Sequence, residues 1–145
     1  MNEQEYNEII LIEDNPTDME LTIDSLLEIN KVQGPIHVLE DGQQALDYFF
    51  NKPENSRPNP KFIVLDLKLP KVTGLEVLKE LKKSPRYRDV PVIILTSSNE
   101  YSDIVEAYRF GANSYVVKPV DFMQFTETVG KMAIYWLLVN KPVKN

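Results

Sequence analysis

Short apolar runs alternate with longer amphipathic stretches along the whole chain. Ile9-Ile10-Leu11-Ile12 is continuously apolar and rich in β-branched residues, which suits a strand covered on both faces. Asn15 then supplies a capping side chain and Pro16 a first-turn residue. Met19, Ile23, Leu26 and Leu27 recur at helical spacing toward Asn30. Ile36 to Leu39 predicts a second strand, followed by Asp41-Gly42 and a short helix carrying Leu46, Phe49 and Phe50. Asn51 to Pro60 holds three prolines and predicts a loop longer than usual between a helix and a strand. Phe62-Ile63-Val64-Leu65, Val92-Ile93-Ile94-Leu95 and Tyr115-Val116-Val117 predict three further strands. Leu75, Leu78 and Leu81 mark a helix that stops before Pro85, and Tyr101 to Phe110 a helix closed by Gly111. A last helix is expected from about Asp121 to Leu138, ended by Asn140 and Pro142.

Strands alternating with helices imply parallel βαβ units, hence an α/β fold with a doubly wound five-stranded parallel sheet flanked by five helices. No internal repeat or linker interrupts the pattern, so residues 1–145 are expected to form one domain with its core at about 8–138. A domain of that size buries enough surface to need no metal or disulfide staple.

Composition narrows the chemistry. The absence of cysteine excludes thiol catalysis, Cys-ligated zinc and a disulfide framework. Sixteen basic against 22 acidic residues give a net charge of −6, a poor basis for neutralising nucleic-acid phosphates. The apolar runs are far shorter than the ~20 residues of a membrane helix. Met1 to Glu8, with three glutamates, resembles neither a signal nor a transit peptide. A soluble, cytoplasmic protein is expected, with no nucleic-acid and no membrane partner.

In open parallel α/β sheets, ligands bind outside the carboxyl ends of the strands. There the first strand runs into Glu13-Asp14, the third into Asp66, the fourth into Thr96-Ser97-Ser98 and the fifth into Lys118-Pro119. Singly, such residues are ordinary caps and turns. Together they put three carboxylates, an ammonium and several hydroxyls on one edge. Like charges so gathered need compensation. Lys118 supplies part of it, and a hard divalent cation, Mg²⁺, suits the rest, because every candidate ligand is an oxygen. A phosphoryl group brought to Asp66 would meet Mg²⁺, Lys118 and the Thr96 hydroxyl, and a carboxylate can itself be the nucleophile.

Glu13-Asp14, Val64-Leu65-Asp66-Leu67-Lys68-Leu69-Pro70 with Gly74, Thr96, Tyr115 and Lys118-Pro119 resemble the receiver (response regulator) domain of two-component phosphorelays, in order and over essentially the whole chain. The resemblance implies a flavodoxin-like receiver fold with Asp66 as phosphoacceptor for a sensor histidine kinase. It implies Mg²⁺ bound by Asp14 and Asp66, by Glu13 through water and by the backbone carbonyl of Lys68. Lys118 would pair with the phosphoryl group, ahead of a cis bond to Pro119. Thr96 and Tyr115 would form the switch, Thr96 drawn to the phosphoryl and Tyr115 turning inward behind it. Such a protein is not an enzyme in the usual sense, although it assists its own phosphorylation and dephosphorylation. The loop from Asn51 to Pro60, Asp121 to Phe125 and the tail Tyr135-Trp136-Leu137-Leu138 with Pro142 are similar to single-domain regulators that partner phytochrome-type histidine kinases.

Rival readings fit less well. A phosphatase of the haloacid dehalogenase type wants an acid two residues after its nucleophile, where this chain has Lys68. A flavodoxin-like binding module needs a Ser/Thr/Gly-rich loop after the first strand, where Glu13-Asp14-Asn15 repels phosphate. No G-x-x-x-x-G-K-[ST] string occurs. The single histidine, His37, falls in the second strand and is expected to be structural. Because the chain stops soon after its last helix, output is expected through a surface, to an unknown downstream protein. In that helix Phe122, Phe125, Val129 and Met132 lie at core spacing, while Ile134, Tyr135, Leu137 and Leu138 crowd its end. That apolar excess, with the resemblance, points to a homodimer across the fourth and fifth helices.

Overall fold

The structure is a computed structural model that describes residues 8–28 and 35–141. The expected extension of the first helix to Asn30, the polar start of the chain and Pro142 lie outside the described residues. Five strands, β1 (Glu8–Ile12), β2 (Ile36–Leu39), β3 (Pro60–Leu65), β4 (Val92–Thr96) and β5 (Ser114–Val117), form one sheet in the order β2-β1-β3-β4-β5. Every neighbouring pair is parallel. Between and after them run α1 (Pro16–Leu27), α2 (Gly42–Phe50), α3 (Gly74–Lys83), α4 (Tyr101–Arg109) and α5 (Phe122–Ile134). The fold is the expected flavodoxin-like one.

Alternation along the strands divides the core in two. Ile9, Leu11, Phe62, Val64, Ile93 and Leu95 point to the face covered by α1 and α5. Ile10, Ile12, Ile63, Leu65 and Ile94 point to the other, covered by α2, α3 and α4. The central strands are buried on both faces, which is why they are written as unbroken apolar runs. In register, Ile12 sits beside Leu39 and Leu65, Leu65 beside Ile94, and Thr96 beside Val117. The residues that follow these positions are therefore level at one edge.

The amino-terminal edge is knitted by long cationic side chains. Lys82 Nζ donates to the carbonyls of Arg88 (3.1 Å) and Val90 (2.8 Å) and to Asn113 Oδ1 (3.0 Å), tying the end of α3 to the entries of β4 and β5. Gly111, at φ 104°, makes the left-handed turn beside it, and a Cβ there would lie 2.9 Å from Lys82 Cγ. Arg57 donates to the carbonyls of Lys52 and Phe50, and Arg86 to the Arg57 carbonyl and Asn59 Oδ1, so the proline-rich loop is tied down.

Three expectations need correction. Phe122 is exposed along with the rest of the first turn of α5; only Phe125, Val129 and Met132 of its set enter the core. The last helix does not run uniformly to Leu138: α5 gives way to a wider π-type turn at Tyr135–Val139, which buries Leu137 and leaves Tyr135 and Leu138 exposed. The Lys118–Pro119 bond is trans, the isomer favoured by about 0.5–1 kcal/mol in X–Pro amides.

Candidate functional site

The carboxyl edge is built by the ladder and the turns that leave it. Asp66 N donates to the Ile12 carbonyl at 3.0 Å and Glu13 N to the Leu39 carbonyl at 2.9 Å, so Glu13 and Asp66 stand side by side. The chain turns into α1 at once. Asn15 Oδ1 caps the helix by accepting from Asp18 N at 3.0 Å, Pro16 opens it, and Asn15 N donates to Glu13 Oε2 at 3.2 Å. After β3, Lys68 N donates to Asp66 Oδ1 at 3.1 Å, while the Lys68 side chain is exposed. Gly74 opens α3 against this loop; a Cβ there would sit 2.2 Å from the Asp66 carbonyl oxygen, so no other residue fits without moving the backbone.

Lys118 closes the cluster. Its N–H donates to the Thr96 carbonyl at 2.7 Å, and its side chain, only 7% exposed, lies along the edge. Lys118 Nζ is 2.7 Å from Glu13 Oε1, 2.9 Å from Asp18 Oδ2 and 2.9 Å from Asp66 Oδ2. Burial alone would lower the pKa of this ammonium, but its hydrogen bonds to Glu13, Asp18 and Asp66 outweigh that and hold it above the ordinary range. Glu13 shows the complementary effect. Burial pushes its carboxyl up to about 7, against the Lys118 hydrogen bond and with the help of the Asp66 charge.

Glu13, Asp14 and Asp66 each offer a carboxylate oxygen, and these lie within 4.8 Å of one another. With Asp18, four carboxylates face one ammonium, so the edge retains negative charge. Such a donor set, all hard oxygen with neither nitrogen nor sulfur, fits a dication of the Mg²⁺ type.

The remaining predicted residues flank this cluster. Thr96 is fully buried at the end of β4, and its Oγ1 lies 3.5 Å from Ser98 N. The Tyr115 hydroxyl donates to the Ser98 carbonyl at 2.9 Å, with its ring against the α2–α4 side of the core. Ser98 Oγ in turn donates to Asp103 Oδ2, at 2.5 Å, in the first turn of α4. Tyr115, Ser98 and α4 are thus joined through one loop. Sequence reasoning passed over Asp18, Ser98 as a bonded group, and Asp103. The sequence carried no distinguishing signal for Asp18, since an acid in the first turn of a helix is expected for the dipole alone.

A five-stranded parallel sheet with carboxylates after β1 and β3 and a lysine after β5 is the architecture of a receiver, and sequence comparison agrees. The chain belongs to the response regulator receiver domain family, whose model matches residues 9–130. The probable methanogenesis regulatory protein FilR2 of Methanothrix harundinacea is 39% identical over 133 residues, covering 92% of this chain and 85% of that protein. The response regulator Rcp1 of Synechocystis is 32% identical over 130 residues, 89% of this chain and 88% of Rcp1. The crystal structure of Mn²⁺-bound Rcp1 superposes with a TM-score of 0.87, covering 94% of this chain and 99% of Rcp1. The phosphorylated cyanobacterial phytochrome response regulator RcpA also gives 0.87, at 32% identity, covering 96% and 99%. Among the described residues, no helix is long and apolar enough to cross a membrane.

Proposed function

We propose that this chain is a phosphoacceptor of a two-component relay, taking a phosphoryl group on Asp66 and signalling through protein contacts. The observation that carries this is the Lys118 ammonium 2.9 Å from Asp66 Oδ2, inside a cluster of carboxylates at the carboxyl edge of the sheet. In the transfer, a carboxylate oxygen of Asp66 attacks the phosphorus of a phosphohistidine on the donor. The O–P bond forms as the P–N bond breaks, and the imidazole nitrogen leaves with the electron pair. Glu13, Asp14, Asp66 and the Lys68 carbonyl would hold Mg²⁺, which supplies positive charge to the phosphoryl oxygens. Lys118 adds a fixed charge beside them, and the Thr96 hydroxyl a hydrogen bond. Such electrostatic positioning is most of what phosphoryl transfer requires.

Thr96 and Tyr115 are the switch in this reading. Both touch the loop that carries Ser98, so a hydrogen bond from Thr96 to the phosphoryl would pull on the loop that holds the Tyr115 hydroxyl and, through Asp103, α4. The donor is a sensor histidine kinase, of phytochrome type on the strength of the relatives. Output goes to a downstream protein and to a second copy across α4 and α5, where Tyr101, Tyr108, Phe122 and Met123 are exposed. The absence of cysteine suits a cytoplasmic role, and the net negative charge argues against a nucleic-acid partner. The protein turns over no separate substrate. Intact mass after incubation with acetyl phosphate and Mg²⁺ tests the reading: one phosphoryl group on the wild type, none on Asp66→Asn. Labelling that survives in Asp66→Asn overturns it.

A further inference from the structure

Lys118 carries three ammonium hydrogens, and three carboxylates take them: Glu13, Asp18 and Asp66. A phosphoryl group on Asp66 brings three acceptor oxygens: one takes the hydrogen that the Asp66 oxygen gives up, and a second competes for another, so Glu13 or Asp18 has to yield. Burial decides which. The Glu13 side chain is 1% exposed, whereas that of Asp18 is 25% exposed. A carboxylate left buried and unpaired is far more costly than one returned to water at a helix start.

Asp18 does not cap the helix in which it lies. The capping of α1 is done by Asn15, whose Oδ1 accepts the Asp18 N–H. Among the described residues, the Asp18 carboxylate's polar partner is Lys118. It stands in the first turn of α1, where negative charge is favoured by the helix dipole, so releasing Lys118 does not strand it. The helix it opens shares a core with α5 through Leu26, Val129 and Met132.

We propose that Asp18 is a positioning residue that docks the Lys118 ammonium on α1 while Asp66 is free and surrenders it when Asp66 carries a phosphoryl group. The inference rests on Asp66 being the phosphoacceptor. Asp18 then competes with the phosphoryl for Lys118, weakening phosphoryl binding and linking α1 to the state of Asp66.

The test is a beryllofluoride titration at saturating Mg²⁺, followed by the backbone amide signals of Thr96 and Ser98. It compares wild type, Asp18→Asn, Lys118→Gln and the double variant. Asp18→Asn should tighten the mimic by about fivefold, the low end of coupling between sites. In the Lys118→Gln background the same change should alter affinity by no more than about twofold, the residue of a screened charge effect. Equal tightening in both backgrounds, or none in either, overturns the proposal. A second measurement needs no lysine variant. The ¹⁵N signal of the Lys118 ammonium should differ between wild type and Asp18→Asn without the mimic and coincide with it. A difference of the same size in both states, or in neither, is equally fatal. A wild type that neither takes phosphate from acetyl phosphate nor binds the mimic removes the phosphoacceptor reading itself. A wild type that does both but ignores Asp18 removes only this inference.

Discussion

Two lysines, at opposite ends of the sheet, solve the same geometric problem with opposite electrostatics. Lys82 and Lys118 each give three hydrogen bonds from one ammonium, and each has lost much of its water. The acceptors of Lys82 are neutral: two carbonyls and an amide oxygen. Burial therefore pulls its pKa down to about 8. The acceptors of Lys118 are carboxylates, which hold its pKa above the ordinary range. A neutral trio completes a staple and leaves nothing for a ligand to satisfy. A charged trio leaves carboxylates in excess, so it still gains from another cation. The excess, not the lysine, marks the functional edge.

Removing each lysine breaks the comparison most directly. Lys118→Met leaves Glu13 and Asp66 buried without their cation, a loss of about 3–5 kcal/mol in the absence of metal. Saturating Mg²⁺ should restore much of it by replacing the charge. Lys82→Met leaves neutral oxygens that are partly open to water, for about 1–3 kcal/mol, and Mg²⁺ should restore none. Urea denaturation of both variants with and without Mg²⁺ decides this. Rescue of both, or of neither, means that the two edges do not differ in kind.

The pH dependence sharpens the same contrast, with opposite signs. Glu13 titrates at about 7 in the fold against 4.5 ordinarily. Between those values the folded state binds more protons than the unfolded one, so stability falls as pH rises from 4.5 through 7. Glu13→Gln should flatten this slope. For Lys82 the folded value is about 8 against 10.5 ordinarily. There the unfolded state binds more protons, so stability rises between pH 8 and 10.5, by a smaller amount because Lys82 is partly exposed. Subtracting the stability of Lys82→Met at each pH isolates it. Slopes of the same sign at both edges would refute the contrast.

The candidate functional edge was largely legible in the sequence because Glu13, Asp66, Thr96 and Lys118 each directly follow an apolar run. Ile9–Ile12, Phe62–Leu65 and Val92–Leu95 read as buried strands, and Tyr115–Val117 forms a half-buried edge strand. Parallel register then brings Glu13, Asp66, Thr96 and Lys118 to the same edge, within two residues of one another. Asn15-Pro16 announced the start of α1 for a local reason, a side-chain cap followed by a preset φ. Residues that depend on helix phase were harder. Asp18 and Lys82 occupy the first and last turns of helices, where acids and bases are expected for the dipole alone. Only the packing of α1 and α3 against the sheet shows that each reaches inward. Phe122 failed for the same reason in reverse: helical spacing marks it as core, but the whole first turn of α5 is exposed. The opposite edge was illegible as a unit, because Lys82, Val90 and Asn113 meet only once two successive crossovers, through α3 and through α4, are complete.

The smallest effect is expected from a neutral bond placed within the charged edge. The Tyr115 hydroxyl donates to the Ser98 carbonyl, and burial raises its pKa, so it remains a neutral donor through the physiological range. Tyr115→Phe keeps the ring against the core and removes only that hydrogen bond, for about 1 kcal/mol. If charge excess distinguishes the two edges, this loss should behave like that of Lys82→Met despite its position near Asp66. It should be the same with and without Mg²⁺, and acetyl phosphate should still add one phosphoryl group. Thermal melts of wild type and Tyr115→Phe, paired with intact mass, measure both. A Tyr115→Phe loss that Mg²⁺ reverses would show that the hydroxyl belongs to the ionic cluster, and that the boundary between the cluster and its neutral surround lies farther out than Thr96.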